Sequence, residues 1–200
     1  MAMTVDLPGF VLAGFALTGS PGPAVLSLAA AGAAFGVRRS LALVAGIISG
    51  VLAVLLVTAA GLTGLILAQP VIGPAVRLLA VGYMVYLAWA IATAPPLGSD
   101  MGGERRPSFL AGVFLGVGNP KAYAAMAALF SGFALSVERP ELDVALKALV
   151  LTLIMAIGNL AWLLLGSALT RFFRDPAMSR GTNVAFAILL LASVAFAFWP

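Results

Sequence analysis

Of the 200 side chains in this sequence, 62% are apolar and only 9% are charged, and the mean hydropathy is +1.13. Soluble domains carry about 45–50% apolar and about 25% charged residues, and eleven basic with seven acidic side chains cannot cover a globule of this size. A water-soluble fold is excluded, and the net charge of +4 comes from basic residues scattered among short segments, which excludes a nucleic-acid partner.

The chain is therefore expected to be a single transmembrane domain over 1–200. Its opening, MAMTVDLPGF, has no lysine or arginine and includes Asp6, so it lacks the basic region of a secretory signal peptide and the first apolar run is expected to be retained. Six apolar runs follow, at about 9 to 36, 41 to 68, 71 to 94, 109 to 136, 144 to 170 and 182 to 199. Each is long enough for a helix to cross roughly 30 Å of hydrocarbon. Membrane strands would be shorter and would alternate polar with apolar residues, a pattern absent here. The expected fold is all-α, with six transmembrane helices.

The first run is interrupted by TGSPGPAV, Thr18 to Val25. Pro21 and Pro23 each remove an amide donor, Gly19 and Gly22 permit unusual dihedrals, and Thr18 and Ser20 offer hydroxyls to the groups set free. The second run contains Gly46 and Gly50, as the fourth contains Gly112 and Gly116, and small residues so spaced let helices approach closely. Ser49 and Thr58, also in the second run, have weaker claims to function. Tyr86 and Trp89 lie toward the end of the third run and Trp199 at the end of the sixth, positions suited to interfacial anchoring. The longest polar interval, APPLGSDMGGERRP, marks a linker at about 95 to 108 between two halves, about 9 to 94 and about 109 to 199.

The fourth run carries GVGNPKAY, Gly116 to Tyr123. Counted from Phe109, Asn119 to Lys121 lie roughly 15 to 18 Å along the helix, near the midplane. Pro120 disfavours helix at Asn119 and deprives the carbonyls near Gly116 and Val117 of partners. Backbone in that state is tolerated at that depth only where protein or a water-lined cavity covers it. A midplane ammonium costs about 2.5–3.5 kcal/mol to insert, so Lys121 marks a substrate or ion pathway and is suited to a carboxylate; snorkelling to the interface is the competing use, made difficult by depth. In the fifth run Asn159 is the other deeply placed polar side chain, able either to donate to a substrate or to bond across helices.

An offset of 99 sets Phe10 against Phe109, Phe15 against Phe114, Gly19 against Gly118 and Pro21 against Pro120. The matched glycine and proline interrupt the first helix of each half. Three helices per half is an odd number, so the halves must have opposite orientations, the pattern of inverted repeats with broken helices 1 and 4. Of the loop cations, Arg38, Arg39, Arg105, Arg106, Arg171, Arg174 and Arg180 fall on one side, and Arg77, Arg139 and Lys147 on the other. The positive-inside rule then places both termini outside the cytoplasm.

Enzymatic chemistry has no foothold. The chain has no histidine or cysteine, its acidic residues (Asp6, Asp100, Glu104, Glu138, Glu141, Asp143, Asp175) lie at segment ends or in loops, and the P-loop and dinucleotide fingerprints are missing. No metal or other cofactor is expected.

The Pro-Gly-Pro at Pro21 to Pro23, the Asn-Pro-Lys-Ala at Asn119 to Ala122, the length and the six runs together resemble the lysine exporter family of the LysE/RhtB type, over essentially the whole chain. That resemblance implies a bacterial inner-membrane exporter of amino acids and related small solutes, driven by the proton gradient. Family members often carry an acidic or amide residue after a Gly-Ile-x-x-Gly stretch, whereas here GIISG, Gly46 to Gly50, is followed by Val51. Recognition of a cationic substrate loses its counter-charge with that change.

The expectation is thus an alternating-access exporter of small neutral amino acids with apolar or branched side chains. Its site would lie between the two breaks, drawing on Ser20, Pro21, Gly22, Pro23, Gly118, Asn119, Pro120, Lys121 and Asn159. Lys121 would hold the carboxylate, Asn119 and Ser20 would add hydrogen bonds, and freed backbone would meet the amino group. The expected partners are an amino acid and membrane lipid, with self-association into a homo-oligomer left open. A passive channel lined by the same breaks and a non-transporting membrane scaffold are the alternatives.

Overall fold

The computed structural model describes residues 6–61, 72–93, 107–172 and 176–198, which hold eight α-helices and no strand. The first run divides into α1 (Leu7–Gly19) and α2 (Pro23–Phe35), bent by 63° at the break. The Asp6 carboxylate starts α1 by accepting from the Gly9 amide at 2.9 Å, and Pro23 starts α2, where its missing amide costs nothing. A single residue, Gly36, ends α2 and caps α3 (Val37–Ala59); its φ of 76° is the left-handed conformation that a side chain would oppose. The Ser40 hydroxyl clamps this corner by donating to the carbonyls of Ala31 and Gly36.

The third run forms α4 (Ile72–Ala92). The fourth divides as the first does, into α5 (Phe109–Val117) and α6 (Pro120–Gly132). Then come α7 (Pro140–Phe172) and α8 (Pro176–Phe198), each opened by a proline. Both begin several residues before the apolar runs that announced them, because Pro140, with Glu141 and Asp143 in the first turn, starts a helix on polar sequence. In the second run the helix ends at Ala59, short of 68, as Gly61 turns the chain with φ 71°. The expected linker lies outside the described residues as far as residue 106, together with Arg105, Arg106, Arg174 and Trp199.

Among the described residues, α3 and the Pro140–Leu169 part of α7 are each long and apolar enough to cross a membrane, and the bent pair α1 and α2 counts as a third if its two halves are one span. The outer surface agrees: Leu12 is 72% and Leu78 74% exposed, with Leu110 and Ile188 also outward, a cost in water and none in lipid. Every residue of α2 is buried, so this helix runs through the centre of the bundle.

Glycines set the approach of the helices. A Cβ added at Gly46 would strike the Phe109 carbonyl, one at Gly112 the Leu43 carbonyl, one at Gly50 the Val113 carbonyl and one at Gly116 the Ile47 carbonyl. The two glycine pairs of the sequence are therefore one joint, holding α3 against α5. A second joint holds α2 to α7, with Gly32 against the Leu163 carbonyl and Gly166 against that of Ala29. These joints bring the two breaks to the same region of the bundle.

Candidate functional site

The first break is a short non-helical stretch between Gly19 and Pro23, with Ser20 extended (ψ 150°) and Gly22 fully extended. In the second, Gly118 ends α5 and Asn119 caps α6, its side-chain oxygen accepting from the Lys121 amide at 3.1 Å. Asn119 is buried, and its carboxamide oxygen serves the helix end.

Lys121, in the first turn of α6, reaches across to the other break. Its Nζ donates to the Ser20 carbonyl at 2.5 Å and the Ser20 hydroxyl at 2.8 Å, with the Pro21 carbonyl at 3.5 Å. The ammonium therefore meets the carbonyl end of α1, where the helix dipole is negative. Gly22 makes room for it, since a Cβ there would lie 3.1 Å from the lysine Cδ and 3.3 Å from Nζ. On the far side, the Trp162 indole of α7 donates to the Gly19 carbonyl at 2.8 Å. Each of two successive carbonyls left free by the break thus has its own donor on a different helix.

Between the breaks is a cavity of about 40 Å³, lined by Ser20, Gly22, Asn119, Lys121 and Asn159 with apolar walls that include Val51, Met126 and Met155. That is space for roughly three waters, and an amino acid would have to part the walls to enter. Asn159 is 5% exposed, and its Nδ2 has no hydrogen-bond partner among the described residues. Among the described residues no acidic side chain lines the cavity, and Val51, at the position where an acid was looked for, is one of its walls.

Five of the nine residues singled out in the sequence line this cavity. Pro21 offers its carbonyl to Lys121, while Pro23, Gly118 and Pro120 shape the helix ends and are outside the lining. Sequence reasoning missed Trp162, although it lies three residues after Asn159 and so on the same helical face, in mid-helix where interfacial anchoring cannot explain an indole. Lys147 needs a correction. It is no loop cation: it is 2% exposed within α7, ion-paired to Asp143 at 2.7 Å and 4.6 Å from the centre of the Phe130 ring. Asp143 in turn accepts from the amides of Leu135 and Ser136, which folds the segment after α6 back onto α7.

A cation between two broken helices, inside an apolar bundle whose outer face suits lipid, defines a membrane translocator. The chain belongs to the LysE type translocator family, whose model matches residues 15–199. It is accordingly membrane-embedded and a transporter, not an enzyme. Among its relatives are the cysteine/O-acetylserine efflux proteins of Escherichia coli strain K12 and Shigella flexneri serotype 5b, each 32% identical over 177 residues that cover 86% of this chain and 87% of the relative. The same figures hold for the protein of that name from Escherichia coli O139:H28. No solved structure matches.

Proposed function

We propose that the protein exports small neutral amino acids, of the class named for its cysteine and O-acetylserine efflux relatives, by alternating access at the cavity between the two breaks. The observation that carries this reading is Lys121, whose ammonium is at present occupied by carbonyl and hydroxyl oxygens of the opposite break. A substrate carboxylate, with full charge, competes well against such partners, and taking their place would loosen one break from the other. Backbone carbonyls around Ser20 and Pro21 would then be free to accept from the substrate ammonium. Val51 and the absence of a carboxylate among the described lining residues argue against a dibasic substrate, whose second cation would be buried beside Lys121 without a partner.

The wider architecture we propose is six spans in one domain, arranged as two inverted repeats. It is supported by the matching breaks at Gly19 and Gly118 and by the division of both the first and fourth runs into two helices. The excess of arginine on one side supports the bacterial inner membrane with both termini outside the cytoplasm, and pairing of Lys147 with Asp143 leaves that excess larger. A reporter fused after Pro200 should be active outside the cytoplasm, and cytoplasmic activity would reverse the orientation.

Counterflow in vesicles tests the transport reading. Vesicles loaded with unlabelled O-acetylserine should accumulate labelled O-acetylserine transiently, with excess cysteine or serine competing more strongly than excess lysine. Uptake without trans-acceleration would identify a channel, and stronger competition by lysine would sink the neutral-substrate reading.

A further inference from the structure

We propose that Asn159 selects, among small neutral amino acids, those whose side chain carries a hydrogen-bond acceptor. The inference rests on the proposed transport site and adds to it the basis of choice between substrates. Asn159 projects from α7 into the same cavity as Lys121 and Ser20, and its Nδ2 is buried with no partner among the described residues. A carboxamide used as packing glue would have a partner across the helix interface, because an unmet donor is costly in an apolar bundle. This one is unmet on a side chain that lines the cavity.

Of the other polar groups in the lining, the Thr18 hydroxyl donates to the Gly14 carbonyl at 2.7 Å and the Asn119 oxygen accepts from the Lys121 amide at 3.1 Å. Lys121 and Ser20 answer the carboxylate, and carbonyls of the first break answer the ammonium. Neither need engages Asn159, which lies on a third element. The apolar walls of the cavity are methyl, methylene and thioether groups, from Ile47, Val51, Ala125, Met126 and Met155 among others. Side chains such as those of alanine, valine or 2-aminobutyrate fill such walls and leave Nδ2 unpaired. A hydroxyl or ester oxygen on the substrate side chain pairs it.

Discrimination of this kind is large, because a site built around a hydrogen bond leaves its own buried group unsatisfied when the analogue lacks the partner. The preference for serine over 2-aminobutyrate, which has a methyl in place of the hydroxyl, should therefore be about tenfold or more, and tenfold corresponds to about 1.4 kcal/mol. Homoserine against norvaline repeats the comparison one methylene longer.

The experiment measures uptake of labelled serine and of labelled 2-aminobutyrate by vesicles containing the parent chain, Asn159→Leu or Asn159→Ala. The leucine variant is close in shape and removes an unpaired polar group, so insertion is not threatened; the alanine variant guards against leucine simply blocking the cavity. Tenfold preference in the parent, falling to about onefold in both variants because serine uptake drops more than 2-aminobutyrate uptake, is the expected result. Equal loss of both amino acids in the variants would make Asn159 a carboxylate ligand or a structural residue and would overturn the inference while leaving the transport reading intact. A parent that takes up both equally well would overturn it too. Uptake of neither, nor of any other amino acid, by the parent would overturn the transport reading and this inference together.

Discussion

Replacing Lys121 by methionine separates transport from stability. Methionine keeps an unbranched stem of similar length and removes the charge. The structure gives Nζ two well-formed bonds, to the carbonyl and the hydroxyl of Ser20, and a third contact at 3.5 Å that adds little. Interhelical hydrogen bonds in membranes average about 0.6 kcal/mol with a ceiling near 1.7, so losing two costs about 1–3 kcal/mol. Against this stands the relief of about 2.5–3.5 kcal/mol from no longer holding a cation at this depth. The two nearly cancel. Abundance in the membrane and thermal unfolding in detergent should stay close to those of the parent, while counterflow is abolished. Lys121→Arg should restore only part of it, since a planar fork does not fit the space that Gly22 leaves for a narrow stem. Parental counterflow by the methionine variant would remove Lys121 from the site, and unfolding of that variant would show that its bonds are chiefly structural.

Trp162→Phe keeps a ring and deletes only the donor to the Gly19 carbonyl, so it should cost about 0.5–2 kcal/mol in unfolding assays and slow counterflow; a variant equal to the parent in both would make the bond dispensable. Gly112→Val would drive a side chain into the Leu43 carbonyl and should destabilise the α3 to α5 joint by about 3 kcal/mol or more, read as loss of folded protein in the membrane, whereas Gly82→Val, where a Cβ has open space, should be tolerated. Lys147→Met takes the cation from Asp143, which is partly exposed and keeps the amides of Leu135 and Ser136, and should cost about 1–3 kcal/mol, while adding Asp143→Asn should recover part of that; no recovery would mean that packing on Phe130 matters more than charge.

What could be read in the sequence was whatever is improbable in an apolar helix. Pro21, Pro23 and Pro120 announce breaks because their chemistry permits little else, and Lys121 announces a polar site because its insertion cost demands one. The glycine pairs showed that some helices must touch, but which ones depends on the fold: the partners Gly46 and Gly112 are far apart in the chain. Trp162 was passed over for the same reason, as its acceptor is 143 positions away. Asn119 reads as a ligand in the sequence and lines the cavity, and its second use, capping α6 through its oxygen, shows only once the neighbouring amides are placed. Lys147 was taken for a loop residue because a helix opened by Pro140 begins on polar sequence, where hydropathy gives no signal.

Because every residue of α2 from Pro23 to Phe35 is buried, that helix has no lipid-facing side. On α7, leucines such as Leu153, Leu160 and Leu164 point outward while Leu163 is buried, so tolerance to substitution there should rise and fall with the helical repeat of 3.6 residues. Along α2 no such rhythm should exist. A complete substitution scan would show one unbroken intolerant band, in which the small residues Ala29, Ala30, Ala31, Ala33 and Ala34 resist enlargement on every side. A periodic pattern in α2 would mean that one of its faces is relieved of packing in another state of the transport cycle, and the phase of that pattern would identify the helix that withdraws.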